Sequence, residues 1–161
     1  MVNEMVIRRA ELKDIPEIQK VAKVTWNHTY EGLIPRLIQD KFINSAYSDE
    51  NMPLRVEKTL LFVAVLNGKV VGFSNFFLRD SQAELGAIYI YPQEHSKGIG
   101  TKLLDAGINE LDNVSNIFVE VEVGNKVGED FYEAKGFDLV EEYEDEIYGH
   151  KLMTKKLVLK I

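Results

Sequence analysis

The chain has 161 residues, 45% apolar and 28% charged, with a formal net charge of −7 and no cysteine. That length suits one domain spanning 1–161. The absent cysteines exclude disulfides, thiolate metal sites and cysteine nucleophiles, and the acidic balance argues against a nucleic-acid partner, which needs a basic face. No apolar run approaches the ~18 residues of a membrane span, and the opening "MVNEMVIRRAELKD" lacks a basic-then-apolar leader pattern. The three histidines, His28, His95 and His150, do not stand at metal-ligand spacing. Neither a membrane nor a metal is expected, and the cytoplasm is the default compartment.

In chain order, "MVIRRA" from Met5 reads as a first strand. A helix follows, with Asp14 as its N-cap, Pro16 in the first turn and Glu17 completing a capping box. Its apolar face carries Ile15, Ile18, Ala22, Thr25 and Trp26. "PRLIQDKFINSAY" is a short helix, and "SDENMPLRVEKT" a loop with one further helical turn. "LLFVAVL" and "VVGFSNFFL" are strands joined by Asn67-Gly68, a pair suited to a hairpin turn with φ > 0 at both positions. "RDSQ" turns the chain again into "AELGAIYIY", a third strand ending at Pro92, so an antiparallel meander is predicted.

Beyond Pro92, Ile99, Leu103, Leu104, Gly107, Ile108 and Leu111 give one face of an amphipathic helix. "NIFVEVEV" is a strand, and "NKVGEDFYEAKGF" a helix capped by Gly136. "FDLVEEY" and "KLMTKKLVLKI" are closing strands joined by an acidic turn, "EDEIYGH". The class is α+β.

"HSKGIGTKLL" places two glycines, costly residues inside a helix, at the start of one. A helix N-terminus offers unpaired N–H groups and the positive end of the macrodipole, so it suits an anion. Bare glycines let a phosphate approach, and Lys97 and Lys102 add positive charge. The spacing is neither a Walker A loop nor a full dinucleotide fingerprint, because Leu103 stands where a third glycine would. The alternative is a glycine-rich turn before a surface helix.

"IYIYPQEHSKGIGTKLLDAGI", followed by "NKVGEDFYEAKGF", resembles the GCN5-related N-acetyltransferase (GNAT) superfamily, most specifically over residues 84–137. The resemblance implies a mixed, mostly antiparallel central sheet flanked by helices. It implies an acetyl-CoA-dependent enzyme that moves acetyl directly to a primary amine of a small molecule, polyamine-like among others, or of a protein N-terminus. The alternative is a catalytically silent acyl-CoA-binding sensor. A homodimer is compatible with it.

By resemblance, the N–H groups of Ser96, Lys97, Gly98, Ile99, Gly100, Thr101 and Lys102 hold the coenzyme diphosphate. His95 takes the family's Gln/Arg position as a further donor, a departure from the pattern. Ile88, Tyr89 and Ile90 pair with the pantetheine arm, and Asn125 touches the coenzyme. A backbone N–H near Ile90 serves as oxyanion donor. Tyr132 protonates the leaving thiolate, or is instead a core aromatic.

For the base, Glu84 is the first choice, since even spacing puts it on one strand face with Ile88 and Ile90; otherwise it is an exposed strand-start carboxylate. Glu120 and Glu122 come second. Trp26 and Tyr30, four apart on a helix, line the acceptor pocket or pack on the sheet. His28 is a proton relay or a surface histidine. The cluster Glu141–Glu146 attracts a cationic acceptor or is a solvated hairpin.

Overall fold

Runs rich in Val, Ile and Phe become strands β1 (Met5–Arg9), β2 (Leu60–Leu66), β3 (Lys69–Arg79), β4 (Gln82–Ile90), β5 (Asn116–Glu122), β6 (Asp138–Ile147) and β7 (His150–Lys160). Amphipathic stretches become helices α1 (Ile15–Thr29), α2 (Arg36–Ala46), α3 (Met52–Lys58), α4 (Ile99–Glu110) and α5 (Lys126–Ala134). This computed structural model describes residues 4–161, so the first three residues of the opening stretch lie outside it. The strands make one seven-stranded sheet in the order β1-β2-β3-β4-β5-β7-β6. The predicted meander is present, and β4–β5 is the parallel pair in an otherwise antiparallel sheet. A parallel pair needs a crossover, and α4 supplies it.

The helices cover both faces. On one, Ile99, Leu103 and Leu104 of α4 and Tyr132 of α5 pack on Phe62, Phe76, Leu85 and Ile117. On the other, Ile18, Val21, Ala22 and Trp26 of α1 and Met52 of α3 pack on Leu61, Val63 and Phe73. Burying each such side chain contributes about 1.5–3 kcal/mol. Gly107 lets α4 close on the sheet, because a β-carbon there would run into the Phe76 ring.

Three local expectations are corrected. Asp14 does not cap α1. A 3-10 turn, Leu12–Asp14, precedes the helix and leaves Asp14 at φ −82°, ψ −11°, too helical for its carboxylate to reach forward. The carboxylate instead accepts Arg8 Nη1 at 2.8 Å, Arg8 Nη2 at 2.9 Å and the Glu11 N–H at 2.8 Å. Glu17 accepts the Val70 N–H at 2.8 Å, tying α1 to β3. Residues 52–58 form a two-turn helix, started by the Ser48 carbonyl and hydroxyl, which accept the Asn51 N–H. The acidic turn is mostly strand: only Tyr148 and Gly149, at φ 46° and 84°, make the turn, and the carboxylates before it lie on the edge strand β6. Edge strands tolerate such charge, which discourages pairing with other chains.

The feature that positions the site is a bulge. Asn75 pairs with Ala87 and Phe76 with Leu85, leaving Gly86 as the extra residue of β4. A side chain at Gly86 would collide with the Phe77 ring. A bulge bends its strand and raises its twist. The β4–β5 ladder runs from Gln82↔Asn116 to Leu85↔Val119 and stops there, so the two strands splay.

Candidate active site

The splay opens into a cavity of about 780 Å³ lined by the ends of β4 and β5, the loop before α4, the start of α5, and Trp26 and Tyr30 of the α1 face. At one end, the amide N–H groups of Ser96 to Thr101 have no acceptor among the described residues. Ser96 at φ 66° and Gly98 at φ 78° take left-handed backbone on either side of Lys97, a turning loop of bare N–H groups of the kind that suits an anion.

The two glycines serve different ends. Gly98 is the N-cap of α4 in the left-handed region, with open space where a side chain would go. Gly100 is bare because a β-carbon there would sit 2.9 Å from the Phe131 ring. At Gly100 a packing reason therefore stands beside the expected phosphate access.

The two lysines, Lys97 and Lys102, stand outside the cavity lining. The Lys97 ammonium is paired with the Glu94 carboxylate. His95 is also engaged elsewhere: its Nε2–H donates to the Ile90 carbonyl at 3.0 Å.

The β4 edge can be read from its register. The Tyr91 N–H bonds the Val71 carbonyl at 3.0 Å, so the main-chain groups of Tyr89 and Ala87 also face β3. Those of Ile88 and Ile90 face the opposite way, into the splay. The expectation for Ile88 and Ile90 as pairing residues fits this geometry. For Tyr89 it does not, since its main chain is bonded to β3. The Tyr89 hydroxyl instead accepts the Trp26 Nε1–H at 2.9 Å.

Asn125 is the N-cap of α5, its Oδ1 accepting the Gly128 N–H at 3.0 Å, so that oxygen is taken although the residue borders the cavity. Tyr132 is 7% exposed and lines the cavity, and its hydroxyl has no protein partner among the described residues. Burial, and then the Glu122 carboxylate, push its pKa well above the ordinary phenol value, so it stays protonated.

The bulge also reverses the side of Glu84. Ala83 and Leu85 before it, and Ile88 and Ile90 after it, face α4; Ala87 and Tyr89 face α1. Glu84 therefore lies opposite Ile88 and Ile90, on the α1 face, and its Oε2 is 3.2 Å from Arg79 Nη2. The same face carries Glu120 and Glu122, since Val119 and Val121 point into the α4 core. Glu122 is the deepest of these carboxylates. It accepts the Tyr30 hydroxyl at 2.5 Å, and burial raises its pKa despite that bond. Burial and Glu122 in turn push the Tyr30 phenol well up.

Trp26 and Tyr30, each 4% exposed, both pack on the sheet and line the cavity, so the two expected fates coexist. Their rings lie 4.5 Å apart, and Trp26 stacks on Phe42 at 4.3 Å. His28 is not among the lining residues. Asp145 and Glu146, from the cluster expected to be a solvated hairpin, do reach the cavity. Among the described residues no Lys or Arg lines it.

Two features escaped sequence reasoning. Tyr143, whose pKa is raised by burial and by neighbouring Glu120, sits across from the β5 carboxylates, and no spacing rule links β5 to β6. Gly86 carried a usable signal, because an isolated glycine within a strand pattern marks a bulge.

A splayed parallel pair, an amide-lined loop at a crossover helix and a tyrosine between them match the acyl-coenzyme-dependent transferase class that the sequence resemblance implies. The sequence model of the Acetyltransferase (GNAT) family matches residues 20–137, and the chain belongs to that family of acetyltransferases. It is 28% identical over 158 residues to a spermidine N(1)-acetyltransferase of Thermoplasma acidophilum, covering 93% of this chain and 96% of that one. It is 29% identical over 156 residues to the uncharacterized N-acetyltransferase YuaI of Bacillus subtilis, covering 85% and 90%. Among solved structures, the PaiA N-acetyltransferase of Thermoplasma acidophilum in complex with coenzyme A superposes with a TM-score of 0.82 at 25% identity, over 95% of this chain and 99% of that one. A GCN5-related N-acetyltransferase from Rhodopseudomonas palustris shares the fold with a TM-score of 0.83 at 17% identity, over 100% and 99%.

Proposed function

We propose that this acetyltransferase moves acetyl from acetyl-CoA directly to a primary amine of a small cationic molecule, with linear polyamines as the acceptor class. The observation that carries the reading is the two-ended cavity. It has unpaired amides at one end, where the lining carboxylates Glu94 and Asp130 are paired with Lys97 and Lys126, and the carboxylates Glu84, Glu120, Glu122, Asp145 and Glu146 along its other side, with no lining Lys or Arg among the described residues. A polyanion and a polycation can enter such a site from different sides. The spermidine acetyltransferase relative and the coenzyme A complex of the PaiA enzyme agree with this assignment.

In this reading the diphosphate lies on the amides from Ser96 to Thr101, and the pantetheine arm runs along Ile88 and Ile90. The thioester then reaches the splay beside Tyr132. An alkylammonium resembles lysine, with pKa ~10.4, and must lose a proton before it attacks. Glu122 accepts that proton: its second oxygen is free of Tyr30, and burial makes it a stronger base than an ordinary carboxylate. This moves the base role from Glu84, whose carboxylate is paired with Arg79 on the outer part of the same face.

The amine nitrogen bonds the carbonyl carbon, and a backbone N–H of the splayed β4 edge near Ile90 stabilises the oxyanion. When the C–S bond breaks, Tyr132 gives its hydroxyl proton to the sulfur. Its raised pKa makes it regain one at once from the nitrogen, which has a proton to lose. The products are the N-acetylated amine and free CoA.

The test is release of free CoA from acetyl-CoA with polyamines, amino acids, aminoglycosides and N-terminal peptides. Polyamines are expected to give the highest kcat/KM. A peptide or amino acid at the top of that ranking overturns the acceptor class. Tight acetyl-CoA binding with no turnover on any amine overturns catalysis and leaves an acyl-CoA sensor.

A further inference from the structure

His95 stands where the family pattern has a side chain read as a diphosphate donor, yet its geometry points elsewhere. Its Nε2–H is committed to the Ile90 carbonyl at 3.0 Å. In the neutral ring the remaining nitrogen, Nδ1, is a lone-pair acceptor and repels a phosphate oxygen. The nearest charges on its own loop, Glu94 and Lys97, neutralise each other.

The carbonyl it holds has a special place. Ile88 and Ile90 turn their main-chain groups into the splay, where no neighbouring strand satisfies them. Tyr91 spends its N–H on Val71, and Pro92 has none. With the Ile90 carbonyl occupied, that open edge offers the Ile88 N–H and carbonyl and the Ile90 N–H, and ends there. The Ile90 side chain meanwhile lies against Gly100, within the amide loop. One residue of β4 therefore touches the loop through its side chain and His95 through its carbonyl.

We propose that His95 is a positioning residue that acts through Ile90. By closing the last acceptor of the β4 edge and clamping the loop to that strand, it admits the pantetheine arm in a single register while the diphosphate sits on the Ser96–Thr101 amides. It is not itself a ligand of the diphosphate. This rests on the coenzyme site proposed above.

The experiment measures CoA binding calorimetrically to the wild-type protein, H95A and H95Q at about pH 6 and pH 8, a range that brackets imidazole titration. Glutamine can donate to a carbonyl without carrying charge. H95A should bind CoA about tenfold more weakly, the loss expected for one well-placed hydrogen bond, and H95Q within about twofold of wild type. In turnover, H95A should lower kcat as well as affinity, because the thioester is misplaced, and H95Q should restore both.

The ratio of wild-type to H95Q affinity should be the same at both pH values, since the coenzyme's own titration cancels in it. A wild-type advantage that grows as the pH falls shows a charged imidazole on the diphosphate and overturns the inference, with or without a folded H95A. Unchanged binding by H95A overturns it too. No CoA binding by the wild-type protein overturns the proposed function itself, and this inference with it.

Discussion

In the proposed mechanism Tyr132 and Glu122 divide the chemistry of one small space, and each makes a distinct prediction. Tyr132→Phe keeps the ring in its pocket against Phe131 and Phe137 and removes only the hydroxyl. Loss of a positioned proton donor should lower kcat about 100-fold, with KM for acetyl-CoA unchanged, in a steady-state assay of CoA release. Glu122 has a folded-state pKa raised by burial. The stability linked to it is complete below the ordinary carboxylate range and is lost as pH rises through the folded value. Glu122→Gln, which can still accept from Tyr30, should therefore have a higher urea midpoint than wild type at pH ~8, with the gap closing toward pH ~4. The same variant should lose the acidic limb of turnover, the fall in rate as the base is protonated. A larger kcat loss in Glu84→Gln than in Glu122→Gln would return the base role to Glu84.

Among the elements, α4 shows how local preference yields to packing. Alanine exceeds glycine in helix propensity by about 1 kcal/mol, so Gly107→Ala should stabilise α4 taken alone. In the fold, the new methyl meets the Phe76 ring, which is fully buried and cannot give way. Gly107→Ala should therefore destabilise the protein by about 2 kcal/mol, the range for overpacking a filled core, and lower Tm in a thermal melt. The Gly86 bulge acts on the same scale in a different way. It exchanges the β4–β5 ladder beyond Leu85↔Val119 for an open edge, and that edge lines the cavity.

At the scale of the whole molecule, a net charge of −7 and a chamber lined by carboxylates act in one direction. They attract a polycation over long range and are screened by salt. kcat/KM for a polyamine should fall several-fold between about 20 mM and 300 mM salt, chiefly through KM, whereas a monoamine of similar size should lose less. An equal response of both acceptors would remove the chamber's field from the account of selectivity. Both faces of the sheet take part: the α4 face presents the amides, the α1 face presents the carboxylates, and the splay joins them.

The order of elements and the amide loop were legible in the sequence, because they rest on short-range rules. Continuous apolar runs marked β2 and β3 with Asn67-Gly68 between them, and the glycine pair marked the start of α4. The motif that singled out Tyr132 is confined to one helix, and the fold brings that residue to the cavity. What only the tertiary structure decided was direction. Even spacing placed Glu84 with Ile88 and Ile90, but a bulge adds a residue and reverses the face, and the bulge depends on Phe77 of the neighbouring strand. Asp14 looked like a cap until Arg8, on β1, claimed its carboxylate. For His95, read as an anion donor, the fold brings the Ile90 carbonyl within 3.0 Å of Nε2. In each case the residue's own neighbourhood in the chain allowed several partners, and the one it took was set by a strand or loop whose position follows from how the sheet packs.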